Sequence, residues 1–134
     1  MRGLDTNVLV RFLVRDDPRQ AAAAKRVIDR AGDEGEPLVV SLMTLLEAEW
    51  VLRTVAKLEK AVFVAEFRKL LLEASNLVFE DEQAVGWALR LYETGNADFA
   101  ECLMLAHYQR IGCSGMLTFD ARAAKLPGAE LLPA

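Results

Sequence analysis

Four carboxylic acids, Asp5, Glu47, Asp98 and Asp120, stand where an acid could do chemistry. Asp5 ends a short lead, Met1 to Leu4, and Asp120 directly follows the apolar run Met116 to Phe119. Glu47 falls near the start of a helically spaced stretch, and Asp98 opens another just after Gly95-Asn96. Two carboxylates ~5 Å apart repel by roughly 3 kcal/mol at an effective dielectric of ~20. A gathered set therefore takes up a proton or holds a cation. Oxygen donors without a supporting His or Cys point to Mg²⁺ or Mn²⁺ rather than Zn²⁺. With a phosphate as the other ligand, the chemistry is attack of water on phosphorus. Each acid also has a local explanation. Asp5, Asp98 and Asp120 suit helix N-caps, and Thr44-x-x-Glu47 fits a capping box.

The elements that must position these acids follow from periodicity and punctuation. Met1 to Leu4 reads as a strand, central to the sheet, with Asp5 at its carboxyl end, where ligands bind in open α/β sheets. Val8 to Val14 reads as a short buried helix. Asp17 and Pro18 are an N-cap and first helical residue, so Pro18 to about Ala31 is helical. Leu38 to Val40 is a buried strand closed by Ser41. Apolar spacing predicts helices over Thr44 to Leu58 and Lys60 to Ser75, paired as an antiparallel arm. The second carries Val62, Phe63, Phe67, Leu70 and Leu71 as its apolar stripe. Asn76 to Phe79 is a strand, Asp81 to Thr94 and Asp98 to Arg110 are helices, and Met116 to Phe119 is a strand. A short helix to Lys125 and an edge strand over Glu130 to Leu132 complete the chain. Strands alternating with helices argue for α/β class: a three-layer α/β/α domain with a mainly parallel four- or five-stranded sheet.

At 134 residues the chain is expected to be a single domain, residues 1–134, large enough to bury a core without staples. Its 53% apolar content excludes a disordered chain. No apolar run approaches the ~20 residues of a membrane span, and no signal peptide is evident. Cys102 and Cys113 lack metal-ligand spacing and a disulfide framework, read as small core residues, and suit a cytoplasmic location. The net charge of −4 counts mildly against nucleic acid. A bound metal would reverse that local field.

Four blocks carry a resemblance. Leu4-Asp5-Thr6-Asn7-Val8-Leu9-Val10, Ser41-x-x-Thr44-x-x-Glu47 running into Trp50-Val51-Leu52, Ala97-Asp98-Phe99-Ala100-Glu101 and Leu117-Thr118-Phe119-Asp120 are similar to the motif blocks of PIN-domain ribonucleases, in family order. The likeness is to VapC-type toxins of toxin–antitoxin pairs. It implies a Mg²⁺- or Mn²⁺-dependent endoribonuclease with Asp5, Glu47, Asp98 and Asp120 as its acidic quartet. It further implies an RNA substrate, a homodimer and a small antitoxin that blocks the site. Asp5, Asp98 and Asp120 would hold metal, while Glu47 would ligate or orient the attacking water. Such toxins often carry an Asp three residues after the Asp98 position. Here that place holds Glu101, on the same helical face as Asp98, which either ligates or tunes its neighbours.

The other candidates are bland. Thr6, Asn7 and Thr118 suit either phosphate contacts or ordinary turn bonding. His107 reads as a partly buried or surface histidine, and Trp50, Phe63 and Phe67 as core or arm packing rather than base-stacking surfaces. A receiver domain would show paired acids after its first strand and a late Lys. A haloacid-dehalogenase-type phosphatase would show an acid at position 7, which is Asn. The rival that survives is a PIN-like module that binds RNA or protein without cutting.

Overall fold

The computed structural model describes residues 1–74 and 76–134. They fall into two units, Met1–Glu82 and Gln83–Ala134. The first runs β1 (Arg2–Gly3), α1 (Thr6–Val14), α2 (Pro18–Asp33), β2 (Leu38–Val40), α3 (Leu42–Thr54), α4 (Lys60–Glu73) and β3 (Leu77–Phe79). Its strands pair in parallel in the order β1-β2-β3, with Leu38 opposite both Arg2 and Leu77. Parallel neighbours need a crossover, and the helix pairs α1–α2 and α3–α4 supply two. β2 therefore holds the middle, with Leu38 and Val40 buried. β1, expected to be central, stands at the end of this order. It is extended by one bond, Leu4 N–H donating to Val39 O at 2.9 Å.

Caps fix where the helices begin. Asp17 accepts from Gln20 N–H at 3.1 Å, and Pro18 occupies the first helical position, as its fixed φ favours. α1 starts at Thr6, two residues ahead of the expected Val8. The reason is Asp5, which sits in extended backbone and takes the Thr6 amide. α3 starts at Leu42 rather than Thr44, because Ser41 is the cap: its hydroxyl accepts from Thr44 N–H at 3.0 Å. Thr44 is then a third-position residue, and the expected Thr44–Glu47 capping box does not form. Helix α3 ends at Thr54, four residues short of Leu58, and Lys57 follows with a left-handed φ of 56°. The expected end of α4 at Ser75 lies outside the described residues.

Phe67 is the centre of the first unit's aromatic packing, fully buried with ring centroids 4.5 Å from Phe63 and 6.5 Å from Phe79. Val64 takes the buried place expected of Val62, which is exposed. Helices α3 and α4 touch one another, and each buries a face.

In the second unit, α5 (Glu82–Thr94) begins at the boundary and is followed by α6 (Phe99–Arg110), β4 (Met116–Thr118), a 3-10 turn (Ala123–Lys125) and β5 (Ala129–Leu131). Tyr92 meets Phe99 edge-on at 5.5 Å. β4 and β5 pair in parallel through a link of a single helical turn, with Met116 opposite Ala129. This close return needs a glycine at position 115. A Cβ there would run into the carbonyl oxygen of Gly128, the acceptor for Met116 N–H. Cys102 is buried, but Cys113 is exposed beyond the end of α6, so only one of the two cysteines is a core residue.

The architecture is thus α/β/α with a mainly parallel sheet, as the alternation of elements requires. Its five strands form sheets of three and two. Replacing Phe67 by Ala removes a ring enclosed on every side and is expected to cost about 3–5 kcal/mol. Urea denaturation should show that loss, with a smaller one for Phe67→Leu.

Candidate functional site

Asp5 and Glu47 belong to the first unit. Asp5 follows β1 at the carboxyl edge of a parallel sheet, and its Oδ1 accepts from Thr6 N–H at 2.8 Å. Its other oxygen takes no hydrogen bond among the described residues. Thr44, in the first turn of α3, donates its hydroxyl to Leu4 O at 3.3 Å, which ties the start of α3 to the end of β1. Glu47 lies one turn further along α3, exposed and with no hydrogen bond among the described residues. It is an acid without a local structural task.

Asp98, Glu101 and Asp120 belong to the second unit. Asp98 occupies the N-cap position of α6 with extended backbone, φ −68° and ψ 155°, yet its side chain makes no cap hydrogen bond. A cap would have turned this carboxylate inward onto the first helical amides. It stays exposed instead. Asp120 does act as a turn anchor: its Oδ1 accepts from Arg122 N–H at 2.8 Å and Ala123 N–H at 3.1 Å. The Thr118 hydroxyl accepts from the Asp120 amide at 3.0 Å, which is the turn bonding of its two readings. Hydrogen bonds from the Ala123 and Arg122 amides hold the Asp120 carboxyl below the usual aspartate value, and the Arg122 guanidinium pulls the same way.

Glu101 is the unusual member. Burial pushes its carboxyl above the ordinary glutamate value, partly offset by a bond from its own amide. The charges of Asp98 and Asp120 push it further up, against a smaller pull from Arg122. Its Oε2 is buried and has no hydrogen-bond partner among the described residues. A carboxylate oxygen withdrawn from water with two other acids in range is poised to take a proton or a cation. The donors are all hard oxygens, which fits Mg²⁺ or Mn²⁺ by type. No group of three or more His, Cys, Asp or Glu side chains is gathered closely enough to hold a metal ion among the described residues.

The PIN domain family matches residues 4–129, which takes in all four blocks. The chain belongs to the PIN domain family. Among curated proteins none matches the sequence. No helix of the described residues of this PIN domain is long and apolar enough to cross a membrane.

Two residues of α3 went unforeseen. Glu49 is buried and accepts from Arg53 Nε at 2.8 Å. Its signal was present in the sequence: an i,i+4 Glu–Arg pair on the face that carries Leu45 and Leu52. Trp50, expected in the core or the arm, is exposed instead, because α3 buries Leu45, Ala48 and Leu52 and turns residue 50 away. His107 is half-buried as expected, and its Nδ1 has no partner among the described residues.

The Glu101 shift has a sign. The folded state binds this proton more tightly than the unfolded chain does. Its contribution is therefore fully stabilising below the unfolded value and is lost as pH rises through the raised one. In buffer free of divalent cations, Glu101→Gln should be more stable than the parent near pH ~7, with the difference shrinking toward pH ~4. Urea denaturation at the two pH values measures this.

Proposed function

We propose that this PIN domain acts on RNA, and that it does so as a divalent-metal-dependent endoribonuclease. The observation that carries the cleaving reading is the Glu101 oxygen, buried, unpartnered and within the electrostatic reach of Asp98 and Asp120. Asp5, Asp98 and Asp120 would hold Mg²⁺ or Mn²⁺, with Glu101 as a ligand or an outer neighbour. A hard cation there supplies a Lewis acid for a phosphoryl oxygen and a more acidic water. Asp5 and Asp120 each commit one oxygen to backbone amides, which fixes the carboxylate's direction while its second oxygen stays open. Glu47, free of any cap, would accept the proton of the incoming water.

The resemblance of the four blocks supports a narrower role, the toxin of a toxin–antitoxin pair, acting as a cytoplasmic homodimer restrained by a small antitoxin. A groove of about 430 Å³ in the first unit suits such a partner. Phe12, Leu13 and Leu70 line it together with the charged Arg15, Glu66 and Lys69. Apolar anchors of a partner helix at helical spacing fit such a trough.

One observation favours a second reading: the acids of the described residues do not close into a three-ligand group. On geometry alone this supports a PIN-like module that binds RNA or protein without cutting it.

RNA cleavage with and without a chelator separates the two. On the first reading, Asp5→Asn and Asp98→Asn each lower cutting by roughly 100-fold or more, the several kcal/mol that metal activation supplies. Equal cutting by parent and variants defeats the acid assignment; RNA binding without any cutting selects the module. Because a cation relieves carboxylate repulsion, Mn²⁺ should also raise the melting temperature of the parent more than that of Asp5→Asn. Calorimetry with and without the ion tests that independently of turnover.

A further inference from the structure

The start of α3 is tied to all three strands of the first unit, and one of the ties is an acid outside the four blocks. Ser41 joins the helix to β2 along the chain, and its hydroxyl accepts from Thr44 N–H. On the β1 side the Thr44 hydroxyl donates to Leu4 O. On the β3 side Leu42 N–H donates to Glu80 Oε1 at 2.9 Å, across 38 positions of chain. Glu80 directly follows β3, and its own amide carries the ladder on by donating to Val40 O at 2.9 Å. The register sets Gly3 opposite Val39 and Val40 opposite Phe79. Continued past the strand ends, it puts Asp5, Ser41 and Glu80 in one row. Neighbouring strands lie ~4.8 Å apart, so the backbones of Asp5 and Glu80 stand roughly 10 Å from each other across Ser41.

What the Glu80 bond does follows from where it sits. The first amide of a helix has no partner within it, and the Ser41 hydroxyl already serves the third. A carboxylate suits that amide, because it also meets the positive end of the helix dipole. Glu80 is exposed, so water would satisfy Leu42 nearly as well, and the bond adds little to stability. Its contribution is direction. Burial of Leu45, Ala48 and Leu52 holds the middle of α3, but apolar packing is non-directional. Hydrogen bonds fix angle as well as distance. Thr44 and Glu80 bond the first turn from opposite sides of β2, which stops it tilting toward either neighbour. Glu47 lies five residues beyond Leu42 on this helix. A base must come within ~2.6–3.2 Å of the proton it takes, and a displacement of about 1 Å can lower a rate by about 100-fold.

We propose that Glu80 is a positioning residue: its bond to the first amide of α3 sets where Glu47 stands relative to Asp5. This rests on the cleaving reading above, in which Glu47 takes the proton of the incoming water.

The test compares RNA cleavage by the parent, Glu80→Ala, Glu80→Gln and Asp17→Ala at a temperature where all are folded. Glu80→Ala should lower kcat about 10- to 100-fold with KM unchanged, because the misplaced base is needed only in the transition state. Glu80→Gln keeps a carbonyl oxygen for Leu42 and should retain most of the rate. Asp17→Ala removes the comparable cap of α2 and should cut like the parent. In a Glu47→Gln background, Glu80→Ala should cause no further loss, since it acts through a base already removed. In metal-free buffer, hydrogen exchange at the Leu42 amide should quicken in Glu80→Ala and stay slow in Glu80→Gln. If Glu80→Ala does not fold, Glu80→Asp, one methylene shorter, takes its place with the same expected fall. Equal cutting by parent and Glu80→Ala, or losses that multiply with Glu47→Gln, overturn the proposal while the cleaving reading stands. So does a Glu80→Gln variant as slow as Glu80→Ala, or Leu42 exchange that does not respond. If the parent does not cut RNA, the cleaving reading fails and takes the proposal with it.

Discussion

Negative charge held near negative charge, with solvent partly withdrawn, is the constraint on which the site's chemistry depends. Glu101 feels it most: its Oε2 is buried without a partner while Asp98 and Asp120 oppose its ionisation. Such an arrangement costs stability when nothing neutralises it. A fold that keeps it does so against the drive toward satisfied polar groups. Strain of this kind concentrates where a protein meets a ligand or a substrate.

Capping and chemistry compete for the same carboxylates, and the helix starts show how the competition resolves. Asp5 and Asp120 leave room for both, since a carboxylate has two oxygens and a cap or turn engages one. Asp98 has the backbone of a cap without the bond, and Glu47 lies beyond the capping turn because Ser41 performs that task. The bland and the functional explanations of these acids therefore do not exclude one another. A residue can close a helix with one atom and offer the other.

Helix α3 separates its roles by face. Leu45, Ala48 and Leu52 anchor it in the first unit, and Glu49 is drawn down with them, held by Arg53. The outward face carries Glu47 and Trp50 one turn apart. An anchored inner face is what lets the outer one present a carboxylate and a ring at a fixed spacing.

The sequence by itself determined the α/β class, the order of strands and helices, and the family, through four acid-bearing blocks. These are local matters of period, punctuation and motif spacing, and the PIN match over residues 4–129 agrees with them. It could not fix the helix starts, because Ser41 and Thr44 are equally good caps on paper; only the hydroxyl bonded to the Thr44 amide decides. Nor could it say that Trp50 faces solvent, since an apolar residue on a helical stripe shows its period and not its neighbours, or that Cys113, past the end of α6, does so too. The same holds for Glu101. Its type and its three-residue spacing from Asp98 are written in the chain. The oxygen left dry near other acids is a product of packing, because its burial and the added charge of Asp120 depend on how the chain folds and not on local spacing.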